Sequence, residues 1–296
     1  MYLSAMKTPR HSLFGRSAAA AALSVGLLAS TIAGPAAAHT QGPPVPADYV
    51  ALGDSYAAGF GAGFYANVCG QSPLGLPALL DEQRKIELTY NATCSGAKAA
   101  TNPTDAVPDV PEQLAGLVFN GLIGAETDLV TVSAGGNDLD FGGVVGACAT
   151  QVLEICQMVI DGRTIQAQTS LAAALDDLYG ELRTAAPNAT IVVTGYPHLF
   201  SPKSGSEVLL STEAQQLFND GTDALNAVIK HTAEANGLQY VDVVKRFTGH
   251  GIGTRDPWIT YTGFTAIDDL HPNAKGYESG YFKAIRSAVN LNTLWR

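Results

Sequence analysis

Basic residues are scarce in this chain. Its 296 residues carry 17 Lys and Arg against 27 Asp and Glu, a formal charge of −10. Residues 1–38 hold three of the basic residues (Lys7, Arg10 and Arg16) and no acidic one, so the remainder has 14 basic and 27 acidic residues and a formal charge of −13. A surface of that sign repels polyanions, which excludes nucleic acid as a partner and disfavours anionic membrane surfaces. Cysteine is also sparse. The four that occur form no Cys-x-x-Cys pair and no histidine cluster accompanies them, so a metal centre is not expected. Internal repeats and a domain linker are absent. The apolar run from Ser17 to Ala33 is short and alanine-rich for a membrane span, which leaves a retained anchor only as the alternative to cleavage.

The N-terminus instead has the build of an export signal. A basic region is followed by that apolar run and by Ala36-Ala37-Ala38, an A-x-A cleavage site. The sequence therefore predicts a signal peptide over 1–38, cleaved near Ala38, a Pro- and Gly-rich flexible leader over 39–48, and one domain over 49–296, secreted to the extracellular side. In an exported chain an even cysteine count implies two disulfides. Four cysteines allow three connectivities. Cys69–Cys94 and Cys148–Cys156 are favoured because each pair closes a local loop.

Strand and helix patterns then alternate. Strands are expected at Tyr49–Leu52, Ile86–Tyr90, Leu129–Ser133, Ile191–Thr194 and Tyr240–Val243. Helices are expected at Leu74–Gln83, Pro111–Phe119, Thr164–Ala186, Thr212–Asn236 and Ala274–Val289. Such alternation implies an α/β fold, a parallel sheet with helices on both faces. Long loops are expected at Gly59–Ser72, Cys94–Asp109, Asp138–Gly162, Leu199–Ser211 and Arg246–Ile267.

The stretch of most chemical interest is Tyr49–Gly63. A buried strand stops at Gly53-Asp54-Ser55, which leaves Ser55 at the carboxyl edge of the sheet, where open α/β sheets bind ligands. Gly-Asp-Ser is also ordinary turn chemistry, and no Gly-x-Ser-x-Gly elbow surrounds it. A nucleophilic serine needs a base, a group that orients the base, and donors for an oxyanion. Of the histidines after the signal, His39 lies in the leader and His231 inside a helix, whereas His198 and His250 could line a cleft. His271 stands in Asp268-Asp269-Leu270-His271-Pro272-Asn273. On one helical turn a spacing of three puts Asp268 on the same side as His271, so its carboxylate can accept from Nδ1 while Asp269 points away. Asn137 ends Ser133-Ala134-Gly135-Gly136-Asn137 and is a neutral donor at the same edge. Gly96, after the second strand, could offer its N–H. Phe60, Phe64, Phe141, Phe200, Trp258 and Phe264 are loop aromatics that could build an apolar groove or simply pack the loops.

Taken in order, Gly53-Asp54-Ser55, Gly96, Gly135-Gly136-Asn137-Asp138 and Asp268-x-x-His271-Pro272 resemble the ordered blocks of the GDSL/SGNH hydrolase family. Cys69-x-x-Ser72, Thr127-Asp128-Leu129-Val130 and Gly195-Tyr196-Pro197 make the chain most similar, within that family, to secreted actinobacterial lipases and esterases. The resemblance implies a flavodoxin-like three-layer αβα sandwich with a five-stranded parallel sheet. It implies Ser55 as nucleophile, His271 as base and Asp268 as its orienter, with an oxyanion hole of the Ser55 N–H, the Gly96 N–H and the Asn137 side chain. Some relatives orient the histidine by a main-chain carbonyl instead. The implied activity is hydrolysis of small-molecule or lipid acyl esters through an acyl-enzyme, with no cofactor and no obligate protein partner, by a monomer. The alternatives are a polysaccharide O-acetylesterase, a phospholipase A, and a catalytically silent binding module on the same fold.

Overall fold

The computed structural model describes residues 45–104, 106–150 and 152–294. The expected signal peptide 1–38, its cleavage point at Ala38 and most of the 39–48 leader lie outside these residues. The sheet is built from β1 (Ala47–Gly53), β2 (Ile86–Asn91), β3 (Leu129–Ser133), β4 (Thr190–Thr194) and β5 (Gln239–Val241), in the order β2-β1-β3-β4-β5, all parallel. Chain order reverses at β1, whose neighbours are β2 on one side and β3 on the other. The crevice outside the carboxyl ends of β1 and β3 is therefore the topological switch point, where ligands bind in such sheets.

Burial follows the position of each strand. β1, β3 and β4 are central and almost wholly buried, because helices cover both faces. β2 lies at an edge, and Glu87, Thr89 and Tyr90 break its apolar run. β1 starts at Ala47, two residues earlier than expected. The Ala47 N–H donates to Lys85 O at 2.8 Å and the Asp48 N–H to the Asp128 carboxylate at 2.9 Å, so the end of the expected leader is strand. β5 ends at Val241 rather than Val243, because the Asp242 carboxylate accepts from Val244 N–H at 2.8 Å and turns the chain into a helix.

The helices are α1 (Ser55–Ala58), α2 (Leu76–Asp81), α3 (Val110–Phe119), α4 (Phe141–Ala149), α5 (Leu153–Gln166), α6 (Ala172–Ala185), α7 (Thr212–Ala235), α8 (Val244–Phe247) and α9 (Lys283–Ala288). A π-helical stretch, Ala167–Leu171, joins α5 to α6, and a second, Gly276–Phe282, leads into α9. α3, α6 and α7 pack side by side as one layer. α2, α8, α9 and the second π-helical stretch form another.

The segment 138–162, expected as a loop, is α4 and most of α5. Its pattern is illegible in sequence for a physical reason. α4 carries the weak helix formers Gly142, Gly143 and Gly146, and α5 exposes Leu153, Ile155 and Met158 while burying only Cys156 and Ile160. Among the described residues no helix is long and apolar enough to cross a membrane.

Candidate active site

β1 delivers Ser55 to the switch point through a backbone that only glycine permits. Gly53 has φ +126°, and a Cβ there would lie 2.4 Å from Ser133 O. Gln113 of α3 reaches under this residue. Its Oε1 accepts from Gly53 N–H at 2.9 Å and its Nε2 donates to Gly53 O at 3.1 Å. Asp54 then caps α1, accepting from the N–H groups of Tyr56 and Ala57. Ser55, the first residue of α1, is held between these anchors and is only 7% exposed.

His271 meets it from the far end of the chain. Nε2 lies 2.9 Å from Ser55 Oγ. Nδ1 lies 3.0 Å from the main-chain oxygen of Asp269. A carbonyl only accepts, so Nδ1 carries the proton and Nε2 is left to accept from the serine hydroxyl. The ring is packed by Tyr56 and Phe60, with centroids 5.1 and 5.0 Å away. Burial holds the imidazole below the usual histidine range, against the opposing pull of the Asp269 carbonyl and the Asp268 charge. A neutral imidazole is the form that can take a proton.

The expected contact between the Asp268 carboxylate and His271 is not made. It rested on a helical turn, and the turn is interrupted. Leu270 adopts φ +69°, which swings the chain so that the Asp269 carbonyl faces the ring. The Asp268 carboxylate instead accepts from the Tyr65 hydroxyl. Tyr65 in turn accepts from the Gly61 N–H at 2.9 Å, and burial, with Asp268 beside it, pushes its hydroxyl up to about 12. Asp269 does not point into solvent either. Its buried carboxylate accepts from Thr262 N–H, Thr262 Oγ1–H and Phe264 N–H, tying 262–264 to the histidine loop.

The donors proposed from sequence gather around Ser55 to different degrees. Ser55, Asn137 and His271 line one cavity of about 100 Å³, together with Tyr56, Phe141 and Tyr196. Asn137 spends one Nδ2–H on Ala97 O at 2.8 Å, which fixes the amide and leaves its second N–H. Among the described residues, the N–H groups of Ser55 and Gly96 have no hydrogen-bond partner. Gly96 has φ +92° and follows Cys94, whose N–H donates to Gly53 O at 2.9 Å, but it does not line the cavity.

Sequence reasoning missed the network behind these groups. The Tyr196 hydroxyl donates to the Asp54 carboxylate at 2.5 Å and accepts from Gly136 N–H at 3.0 Å. One buried phenol thus joins the ends of β1, β3 and β4. Desolvation raises the Asp54 carboxyl from 3.8 to about 7 despite three hydrogen bonds that favour its charge. The only sequence signal was Gly195-Tyr196-Pro197 directly after β4, which names a tyrosine at the right edge but no partner.

The remaining candidates lie elsewhere. His198 pairs with Asp223 at 2.8 Å, His231 is on the exposed side of α7, and His250 stacks on Trp258 with centroids 3.8 Å apart. Of the loop aromatics, Phe200 and Trp258 are core residues, Phe64 and Phe264 are exposed, and Phe60 and Phe141 touch the site. The disulfides are Cys69–Cys94 and Cys148–Cys156. The first ties the 59–72 loop to the turn that carries Gly96, and the second ties α4 to α5. Among the described residues, no group of three or more His, Cys, Asp or Glu could hold a metal ion.

The model of the GDSL-like Lipase/Acylhydrolase family matches residues 51–278. The chain is 33% identical to a lipase of Streptomyces rimosus over 258 residues, 86% of this chain and 91% of that one. It is 31% identical to Lipase 1 of Streptomyces coelicolor, over 88% of this chain and 93% of that one. Among solved structures, the extracellular lipase of S. rimosus and the phospholipase A1 of Streptomyces albidoflavus each superpose with a TM-score of 0.71 at 31% identity. They cover 82% and 83% of this chain and all of theirs.

Proposed function

Because this chain belongs to the GDSL-like lipase/acylhydrolase family and is a carboxylic ester hydrolase, we propose that it is a secreted, monomeric serine esterase or lipase acting through an acyl-enzyme. The observation that carries this reading is the 2.9 Å approach of His271 Nε2 to Ser55 Oγ at the switch point, beside Asn137. Ser55 Oγ attacks the ester carbonyl carbon while its proton passes to His271 Nε2. The carbonyl oxygen takes up negative charge, and the Ser55 N–H, the Gly96 N–H and the free N–H of Asn137 are its donors. Donors of this kind are each worth on the order of 3 kcal/mol. Collapse expels the alkoxide, which takes the proton back from His271 and leaves as alcohol. His271 then removes a proton from water as it attacks the acyl-serine. The second tetrahedral species collapses to carboxylic acid and free Ser55.

The unit doing this chemistry is a Ser55–His271 dyad oriented by the Asp269 carbonyl. Asp268 acts through Tyr65 and through its charge. A neutral carbonyl fixes the tautomer as a carboxylate would but stabilises the imidazolium less.

Substrate choice is tested by one panel of p-nitrophenyl esters from acetyl to long-chain, diacyl phospholipid vesicles and acetylated xylan. Turnover of simple esters by the wild type, lost in Ser55→Ala, is expected. Release of acetate from xylan alone would move the assignment to a polysaccharide O-acetylesterase, and release of fatty acid from phospholipid alone to a phospholipase. The phospholipase reading gains its interest from the S. albidoflavus relative.

A further inference from the structure

Attack geometry divides the catalytic cavity. The leaving oxygen must meet His271 Nε2 to be protonated, so the acyl substituent lies against the opposite wall. The chain running from β3 into α4 supplies Gly136, Asn137, Phe141 and Gly142 to one wall of this cavity. The cavity has a volume of about 100 Å³.

Behind this wall is a second cavity, of about 60 Å³, between α4, α5 and α7. Leu139, Val144, Ile160, Phe218 and Leu225 give it an apolar lining, and Phe141 borders both cavities. The second cavity sits directly against the end of β3, since a Cβ on Gly135 would lie 3.7 Å from Leu225 Cδ1. Phe141 is held in place on three sides. Its ring packs edge-on against Phe218 with centroids 5.5 Å apart. The Asp140 carboxylate before it pairs with Arg163 of α5 at 2.9 Å. The far end of α4 is bonded to α5 through Cys148–Cys156.

From this geometry we infer that Phe141 sets the acyl-length limit of the enzyme: its ring confines the acyl group to the catalytic cavity, so short chains are the preferred substrates, and the apolar cavity behind it is an extension of the acyl site that the ring walls off. This inference rests on the esterase reading above. It turns on one wall of the site and not on the chemistry.

The test is the ratio of kcat/KM for p-nitrophenyl octanoate to that for the butyrate, measured within each variant so that general losses cancel. Each methylene that finds an apolar cavity gains about fourfold, the equivalent of about 0.8 kcal/mol. The wild-type ratio is expected below one. Phe141→Ala joins the two cavities and should raise the ratio at least about tenfold. Adding Ile160→Phe to that variant refills the extension from α5 and should reverse most of the gain. Thermal unfolding checks that each variant is folded. Should Phe141→Ala fail to fold, Phe141→Leu is used in its place and should move the ratio in the same direction. A wild-type ratio at or above one, or a ratio unmoved within about twofold by opening the wall, overturns the inference while leaving the esterase reading intact. Absence of turnover on every ester would remove that reading, and the inference with it.

Discussion

The main-chain oxygen of Asp269 lies 3.0 Å from Nδ1 of His271, two residues further along the chain. This contact exists because Leu270 between them is left-handed, at φ +69°. Leu270 is held there by its own main-chain groups: its N–H donates to Thr260 O at 2.8 Å, and its carbonyl accepts from the Tyr56 hydroxyl at 2.7 Å. The imidazole is thus oriented by a loop, and whatever fixes the loop fixes His271.

The two neighbouring aspartates should therefore behave opposite to a simple triad. In Asp269→Asn, one carboxylate oxygen becomes an NH2 group that faces the donors of Thr262 or Phe264. Hydrogen bonds to a charged group are worth about 1.5–3 kcal/mol each. We expect a loss of stability in that range and a fall in kcat of about ten- to a hundredfold, through misplacement of His271. Asp268→Asn should lower kcat less than about tenfold, far short of the roughly 10⁴ seen when a triad carboxylate is neutralised. Steady-state kinetics and denaturant unfolding of both variants check this. A greater loss of kcat in Asp268→Asn would restore the carboxylate to the triad.

The pH profile follows from burial of His271. Its folded-state pKa is depressed, so the imidazole stays neutral to lower pH than an exposed one. The acid limb of kcat/KM should have its midpoint below the ordinary histidine value of about 6.5. The same depression means that the unfolded chain binds a proton more readily than the folded one. His271 therefore withdraws stability as pH falls below its unfolded value. A kinetic midpoint above about 7 would contradict the buried, carbonyl-held imidazole.

Asp54 titrates with the opposite sign. Its folded pKa is raised to about 7, so its contribution to stability is fully present below the unfolded value and is lost as pH rises through about 7. Asp54→Asn imitates the protonated form and can still meet Tyr56 N–H and the Tyr196 hydroxyl. Its stability relative to the wild type should rise by up to a few kcal/mol between pH 4 and pH 8. Tyr196→Phe leaves the Asp54 carboxylate and Gly136 N–H without their shared partner, and should cost about 1–3 kcal/mol, more at pH 8 than at pH 4 because this hydrogen bond favours the ionised carboxylate. Thermal melts across this pH range measure both. A pH-independent difference for Asp54→Asn would mean the carboxyl is already ionised in the folded protein at low pH.

Much of this architecture is legible in the sequence because its signals are local. The apolar runs at Tyr49–Leu52, Leu129–Ser133 and Ile191–Thr194 have the composition of strands buried on both faces, and each became one. Ser55, Asn137 and His271 could be named because each follows a strand or precedes a helix at a recognisable break. The unread parts depend on contacts across the chain. Tyr65–Asp268 spans 203 residues and Tyr196–Asp54 spans 142, and neither leaves a local pattern. The error at Asp268 came from assuming regular helical spacing where one left-handed residue reverses the geometry.

The two disulfides should contribute unequally. Cys69–Cys94 has a sequence separation of 25 and Cys148–Cys156 one of 8. Loop-entropy arguments give about 3.5 kcal/mol for the first and about 2.6 kcal/mol for the second. Denaturant unfolding of Cys69→Ala/Cys94→Ala and of Cys148→Ala/Cys156→Ala should rank them in that order. Only the first pair, next to the turn that carries Gly96, should lower kcat as well. Greater destabilisation from losing the shorter loop would show that α4 and α5 depend on their bridge for more than chain entropy.

The central claim is that Ser55, activated by His271, forms the covalent acyl intermediate, and its most direct test is where an active-site reagent adds. A fluorophosphonate should add once per chain, and peptide mapping by mass spectrometry should place the label on Ser55. Labelling should slow by at least about a hundredfold in His271→Ala, in line with the contribution of a general base. A label on Ser95 or Ser133, or labelling of Ser55 at an undiminished rate without His271, would contradict the account.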